Sequence, residues 1–130
     1  MKILVVEDDR SIRETLGLVL SAYDFEISLV SDGRSTLKHL ENHWPDVILL
    51  DLKLEDMSGE EVYVTIRKIF GKVPPTVVLS AASEGFERTE HLSGATFLAK
   101  PYTLEGLVEA LNTAARGATE MHEEPAKRTA

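Results

Sequence analysis

Ile3-Leu4-Val5-Val6-Glu7-Asp8-Asp9 is the stretch from which the fold is read: four apolar residues end abruptly in three carboxylates. A run that is apolar at every position belongs to a strand covered on both faces. The same signature recurs at Val47-Ile48-Leu49-Leu50, Thr76-Val77-Val78-Leu79 and Ala95-Thr96-Phe97-Leu98-Ala99, whereas Phe25-Glu26-Ile27-Ser28-Leu29-Val30 alternates as an edge strand does. Between these runs the period becomes helical, at Ile12, Leu16, Val19 and Leu20, at Leu37 and Leu40, at Val62, Ile66 and Ile69, and at Leu104, Leu107, Val108 and Leu111. Ser83 to Leu92 carries the weakest helical pattern. Ser11-x-x-Glu14 and Ser58-x-x-Glu61 read as capping boxes, and Asp32-Gly33 and Pro74-Pro75 punctuate turns. Five βα units in series predict an α/β fold, a parallel sheet with helices on both faces. A doubly wound five-stranded sheet suits this length, but periodicity does not give the strand order.

The chain has 130 residues, 14 Lys and Arg against 22 Asp and Glu, a formal charge of −8 and no cysteine. That length accommodates one domain with a sizeable core, without disulfides or a structural metal. The lack of cysteine excludes a zinc ribbon and a thiol nucleophile. Four apolar residues before the first charge are too few for a signal-peptide core or a membrane span, so the expected location is cytoplasmic. With a pI near 5.0 and no basic run, neither nucleic acid nor an anionic membrane is an expected direct partner. From about Gly117 the apolar stripe ends. The expected organisation is a domain over 1–117 and a polar, disordered tail over 118–130, with no room in it for a separate output domain; the chain is then either a single-domain protein or a piece of a longer one.

The polar residues that follow the strands fall at one end of the sheet: Glu7-Asp8-Asp9 after the first, Asp51 after the third, Ser80 after the fourth, Lys100-Pro101 after the fifth. Ligands of open parallel sheets bind beyond the carboxyl ends of the strands, where the winding reverses. If the order is 2-1-3-4-5, the Glu7/Asp8 pair lies beside Asp51. Those three carboxylates and Lys100 sum to −2, and like-charged carboxylates at close range need raised pKa values or a cation. Oxygen donors without His or Cys favour Mg2+, Mn2+ or Ca2+ over Zn2+. A hydroxyl and an ammonium suit phosphoryl oxygens, so the residues point to metal-assisted phosphoryl chemistry in which one carboxylate could be the nucleophile. Singly each residue has a plainer reading: Asp9 as a helix N-cap, Ser80 as a turn residue, Lys100 as a solvated lysine. His39, His43, His91 and His122 show no metal-ligand spacing and read as surface residues, and Trp44 reads as packing at the opposite end of the sheet.

The combination of Ile3–Asp9, Val47–Leu54 with Met57-Ser58-Gly59, Val78-Leu79-Ser80-Ala81, Gly94-Ala95 and Lys100-Pro101 resembles the CheY-like receiver domain of two-component response regulators, over about Lys2 to Arg116. The resemblance implies a flavodoxin-like (βα)5 fold of order 2-1-3-4-5. It implies that Asp51 accepts a phosphoryl group from a sensor histidine kinase or histidine phosphotransfer protein. Asp8, Asp51 and the backbone carbonyl of Lys53 would bind Mg2+, with Mn2+ as a substitute and Glu7 acting through water. Lys100 and Ser80 would hold the phosphoryl group, Ser80 and Phe97 would form the switch, and Lys100-Pro101 would be cis. A phosphorylation-dependent dimer is compatible with it, and the chain would catalyse only its own phosphorylation and dephosphorylation.

Departures from the family pattern are Glu55 where Pro is usual, which predicts a looser loop after Asp51, and a Ser80–Lys100 span about two residues short, which puts a helix there in question. Competing readings are a constitutive interaction module with a vestigial site and an aspartyl-phosphate phosphatase of the dehalogenase-like type. The second lacks its general acid, since Lys53 stands two residues after Asp51. A flavin or nucleotide binder would need a glycine-rich first turn where this chain has carboxylates.

Overall fold

The computed structural model describes residues 1–81, 92 and 94–129, without the side chains of 81 and 118–129. In chain order the elements are β1 (Lys2–Val6), α1 (Arg10–Ser21), β2 (Glu26–Val30), α2 (Gly33–Leu40), β3 (Val47–Asp51), α3 (Gly59–Phe70), β4 (Thr76–Ala81), β5 (Ala95–Lys100) and α4 (Leu104–Thr129). The helix questioned between Ser83 and Leu92 lies outside the described residues except for Leu92 itself, which is buried.

All strand pairs are parallel, in the order β2-β1-β3-β4-β5. This is the doubly wound arrangement, with the winding reversing between β1 and β3. Strands buried on both faces split their side chains between two cores. Leu4, Val6, Ile48, Leu50 and Val78 pack with Leu40, Val62, Tyr63 and Ile66 of α2 and α3. Ile3, Val5, Val47, Leu49, Val77 and Leu79 pack with Leu16, Leu20, Leu107 and Leu111 of α1 and α4. Each fully buried aliphatic side chain contributes about 1.5–3 kcal/mol, so the three central strands are a rigid platform.

Two strand readings differ from each other in outcome. The alternating β2 is an edge strand, as expected. The run Ala95–Ala99 was expected to be buried on both faces, yet β5, at the other edge as the order 2-1-3-4-5 requires, is half-buried throughout. Its alanines and Thr96 keep the run free of charge, so composition alone gives no sign that only β4 flanks it.

Helix starts follow side-chain capping. Ser58 and Glu61 form the expected box on α3, and Gly71 ends that helix in the left-handed region at φ 77°. At α1 the cap is Asp9, whose Oδ1 accepts from the Ile12 N–H at 3.0 Å, rather than Ser11; Glu14 pairs with Arg10 at 3.0 Å. Trp44 packs edge-to-face on Phe70 and beneath the Lys72 ammonium, a packing residue as expected. The α4 backbone stays helical through Thr129, into the segment set apart above as a tail. The side chains that would decide where the packed domain stops there lie outside the described residues.

Candidate functional site

Strand register sets the heights of the site residues. Val6 is level with Leu50 and Leu50 with Val78, so Glu7 is the first residue past the β1 ladder, and Asp51 pairs with Leu79. Ser80 pairs with Ala99 and Lys100 with Ala81, one and two steps further on. All these groups therefore emerge from one end of the sheet.

There the carboxylates of Glu7, Asp8 and Asp51 converge, each offering an oxygen within 4.8 Å of the others. Among the described residues this is the one group of three or more carboxylate or imidazole side chains close enough to share an ion. Glu7 is 3% and Asp51 8% exposed, and Asp8 is half-buried. Lys100 Nζ lies 3.5 Å from Asp51 Oδ2, and the Lys53 N–H donates to Asp51 Oδ1 at 3.1 Å. Ser80 is buried at 3% exposure and Phe97 is half-buried. The Lys100–Pro101 bond is cis. Next to it stands Tyr102, whose hydroxyl is pushed up from its ordinary pKa by burial and then by the negative charges of Glu7 and Asp51. Nothing in the sequence alone had placed Tyr102 in the field of these acids.

Glu7 carries the electrostatic cost of the cluster. Its carboxyl is raised from 4.5 to about 7, first by burial, then by the charge of Asp51 and by hydrogen bonds shared with Asp51 and Asp8. The Asp9 N–H, 3.1 Å from Glu7 Oε2, pulls the other way. Between these two pKa values the folded chain keeps a proton that the unfolded chain has lost. Stability of the cation-free fold therefore falls as pH rises from about 4.5 to about 7. A buried acid that keeps its proton towards neutrality, among oxygen donors only, fits a hard divalent cation such as Mg2+. Cation and proton then compete for the same carboxylates. Adding Mg2+ is expected to raise the thermal midpoint more at about pH 8 than at about pH 5; equal gains at both would contradict this reading.

The loop after Asp51 is fastened where a looser one was expected. Asp56 accepts from the Gly33 N–H at 2.9 Å and the Arg34 N–H at 3.0 Å, two donors at the start of α2. Those bonds, the Gly33 one first, hold its carboxyl below the usual range. The Gly59 N–H closes the loop on the Leu52 carbonyl at 2.9 Å. Gly59 itself has no room for a side chain: a Cβ there would lie 2.6 Å from the Asp51 carbonyl oxygen and 2.8 Å from Leu52 Cα. Away from this end, the His39 and His43 rings lie 5.1 Å apart across the end of α2, so they form a pair rather than two scattered surface residues. Among the described residues no third imidazole or carboxylate completes a group with them.

A family model described as "Response regulator receiver domain" matches residues 3–112. Response regulator MprA of Mycolicibacterium vanbaalenii is 34% identical over 121 residues, 92% of this chain and 52% of that protein. The chain thus spans about half the length of the curated relatives it matches. Among solved structures, chemotaxis protein CheY4 of Vibrio cholerae is 26% identical with a TM-score of 0.76, covering 87% of this chain and 97% of that one. The N-terminal domain of a response regulator/sensory box/GGDEF 3-domain protein from Carboxydothermus hydrogenoformans is 26% identical with a TM-score of 0.81, covering 92% and 98%.

Proposed function

The chain belongs to the response regulator receiver domain family, and from that premise we propose that it is a phosphorylation-dependent switch of a two-component system with Asp51 as its acceptor. The observation that carries this reading is the meeting of Asp51 with Glu7, Asp8 and the Lys100 ammonium at one end of the sheet. The acceptor oxygen of Asp51 forms a bond to phosphorus while the bond from phosphorus to the imidazole nitrogen of a phosphohistidine breaks; the freed imidazole takes a proton from solvent. The donor is a sensor histidine kinase or a histidine phosphotransfer protein. Asp8, Asp51 and the Lys53 carbonyl would hold Mg2+, and Glu7 would act on it through water. When bound, the ion supplies positive charge that offsets the charge on the transferring phosphoryl oxygens. Lys100 orients Asp51 before transfer and pairs with a phosphoryl oxygen after it.

Ser80, buried next to the acceptor strand, donates a hydrogen bond from its hydroxyl to a phosphoryl oxygen, and Phe97 on β5 follows it inward. Modification thereby biases two packings of the β4–β5 edge, a coupling of about 1–3 kcal/mol in proteins of this kind. The switching unit is residues 1–117, a span supported by the family match and by Leu107 and Leu111 in the core. Among the described residues no helix is long and apolar enough to cross a membrane.

The test is incubation with acetyl phosphate, with Mg2+ or with a chelator, followed by intact mass. One phosphoryl group per chain, gained only with the cation, is expected. Sustained turnover of an external phosphoester would favour a phosphatase instead, and no gain under either condition would favour a constitutive interaction module.

A further inference from the structure

The peptide groups of Glu7 and Asp8 stand just past the β1 ladder, which ends at Val6 against both Val30 and Leu50. Backbone groups beyond a ladder need other partners. The Glu7 N–H finds the Val30 carbonyl at 3.1 Å, and the Asp9 carbonyl accepts from the Arg13 N–H at 2.9 Å. The two carbonyls in between are served by one side chain: Arg13 Nη1 donates to the Glu7 oxygen at 2.9 Å and to the Asp8 oxygen at 3.3 Å. Arg13 is half-buried on the first turn and a half of α1, and its planar guanidinium presents several N–H donors in a fixed fork.

We propose that Arg13 is a positioning residue for the cation site, acting through the backbone of Glu7 and Asp8. The proposal rests on the reading of those two acids as the Mg2+-binding pair. The guanidinium holds two successive carbonyls on one side of the turn, which leaves both carboxylates directed at Asp51 on the other. Bonds of this outer kind fix ligand orientation, and their loss weakens metal affinity more than it alters chemistry at a filled site.

The experiment compares wild type, Arg13→Ala, Arg13→Gln and Arg13→Lys. Mg2+ alone is titrated by calorimetry, phosphorylation by acetyl phosphate is followed against Mg2+ concentration, and a urea midpoint is recorded for each chain. Arg13→Ala is expected to raise the Mg2+ dissociation constant about 10–100-fold with the phosphorylation rate at saturating Mg2+ unchanged. Arg13→Lys, which keeps one donor group, is expected to fall between. A purely structural role would lower the urea midpoint and leave the Mg2+ affinity of the folded chain where it is, and that result overturns the proposal. If Arg13→Ala does not fold, Arg13→Gln carries the comparison, since its amide still donates to one carbonyl. Wild type that binds no Mg2+ overturns the functional reading beneath the proposal; normal binding in wild type and variants alike overturns the proposal alone.

Discussion

Asp51→Asn is expected to lower phosphoryl uptake from acetyl phosphate by several powers of ten, because the amide oxygen that replaces the acceptor is a far weaker nucleophile. The substitution has a second consequence that a general loss of structure would not reproduce. Glu7 is raised to about 7 by burial first and by Asp51 next. Removing the Asp51 charge leaves burial in place but takes away the like-charge part, so Glu7 titrates nearer its ordinary value. The cation-free variant should therefore lose less stability than wild type as pH rises from about 4.5 to about 7. The lost pair with Lys100 offsets this only slightly, since that side chain is 40% exposed and pairs of this kind are weak. Urea midpoints across that range measure the effect; parallel curves for the two chains would show that Asp51 does not act on Glu7.

Gly59→Val is expected to have the largest effect on stability, about 3 kcal/mol or more, a value at or above the usual cost of overpacking. The atoms a side chain would meet are the Asp51 carbonyl oxygen and Leu52 Cα, at 2.6 and 2.8 Å. These are backbone atoms and have no rotamer into which to retreat. Either α3 lifts from the end of β3 or the strand end shifts, and in both cases the Asp51 carboxylate leaves its place beside Lys100. What remains folded should therefore also be phosphorylated more slowly. Gly117→Ala is the matched control: nothing lies within 4 Å of a Cβ there. In a helical backbone that change is expected to stabilise by about 0.5–1 kcal/mol. A denaturant midpoint for each chain tests both, and a Gly59→Val midpoint equal to that of wild type would mean that the close approach of α3 to β3 is absent.

Much of the fold was legible because burial on two faces writes itself into composition. Val47-Ile48-Leu49-Leu50 has no polar residue to spare, and it pairs on both sides. The burial of β5 is overestimated for the same reason in reverse: Ala95 and Ala99 are small and uncharged, and a run without charge looks the same half-buried at an edge as fully buried in the middle. The start of α1 stays open between two residues in the sequence, because Asp9 and Ser11 are both capping residues and Glu14 stands three after Ser11; the structure takes the Asp9 reading. The choice is made by which oxygen reaches an orphan N–H, a matter of backbone course rather than residue type.

The site divides in the same way. Glu7, Asp8, Asp51, Ser80 and Lys100 could be found because they stand at the ends of apolar runs, and strand ends gather at one edge of a parallel sheet. Asp56 and Arg13 could not. Asp56 bonds to residues 23 and 22 positions away, so no local pattern announces it, and Glu55 in place of proline suggested the opposite about loop rigidity. Arg13 sits among polar residues of an amphipathic helix and differs from a solvated arginine only in what its guanidinium touches. The His39/His43 pair shows the converse limit: the two rings meet, but no further ligand stands beside them among the described residues.

The most direct measurement is to locate the phosphoryl group in the wild-type chain. After treatment with acetyl phosphate and Mg2+, the chain is cleaved at acid pH and its peptides are weighed before and after exposure to hydroxylamine, which cleaves acyl phosphates. One hydroxylamine-sensitive phosphoryl group in the peptide containing Asp51, absent when Mg2+ is chelated, is the predicted result. A phosphoryl group that resists hydroxylamine, or that sits in a peptide without Asp51, would contradict Asp51 as the acceptor.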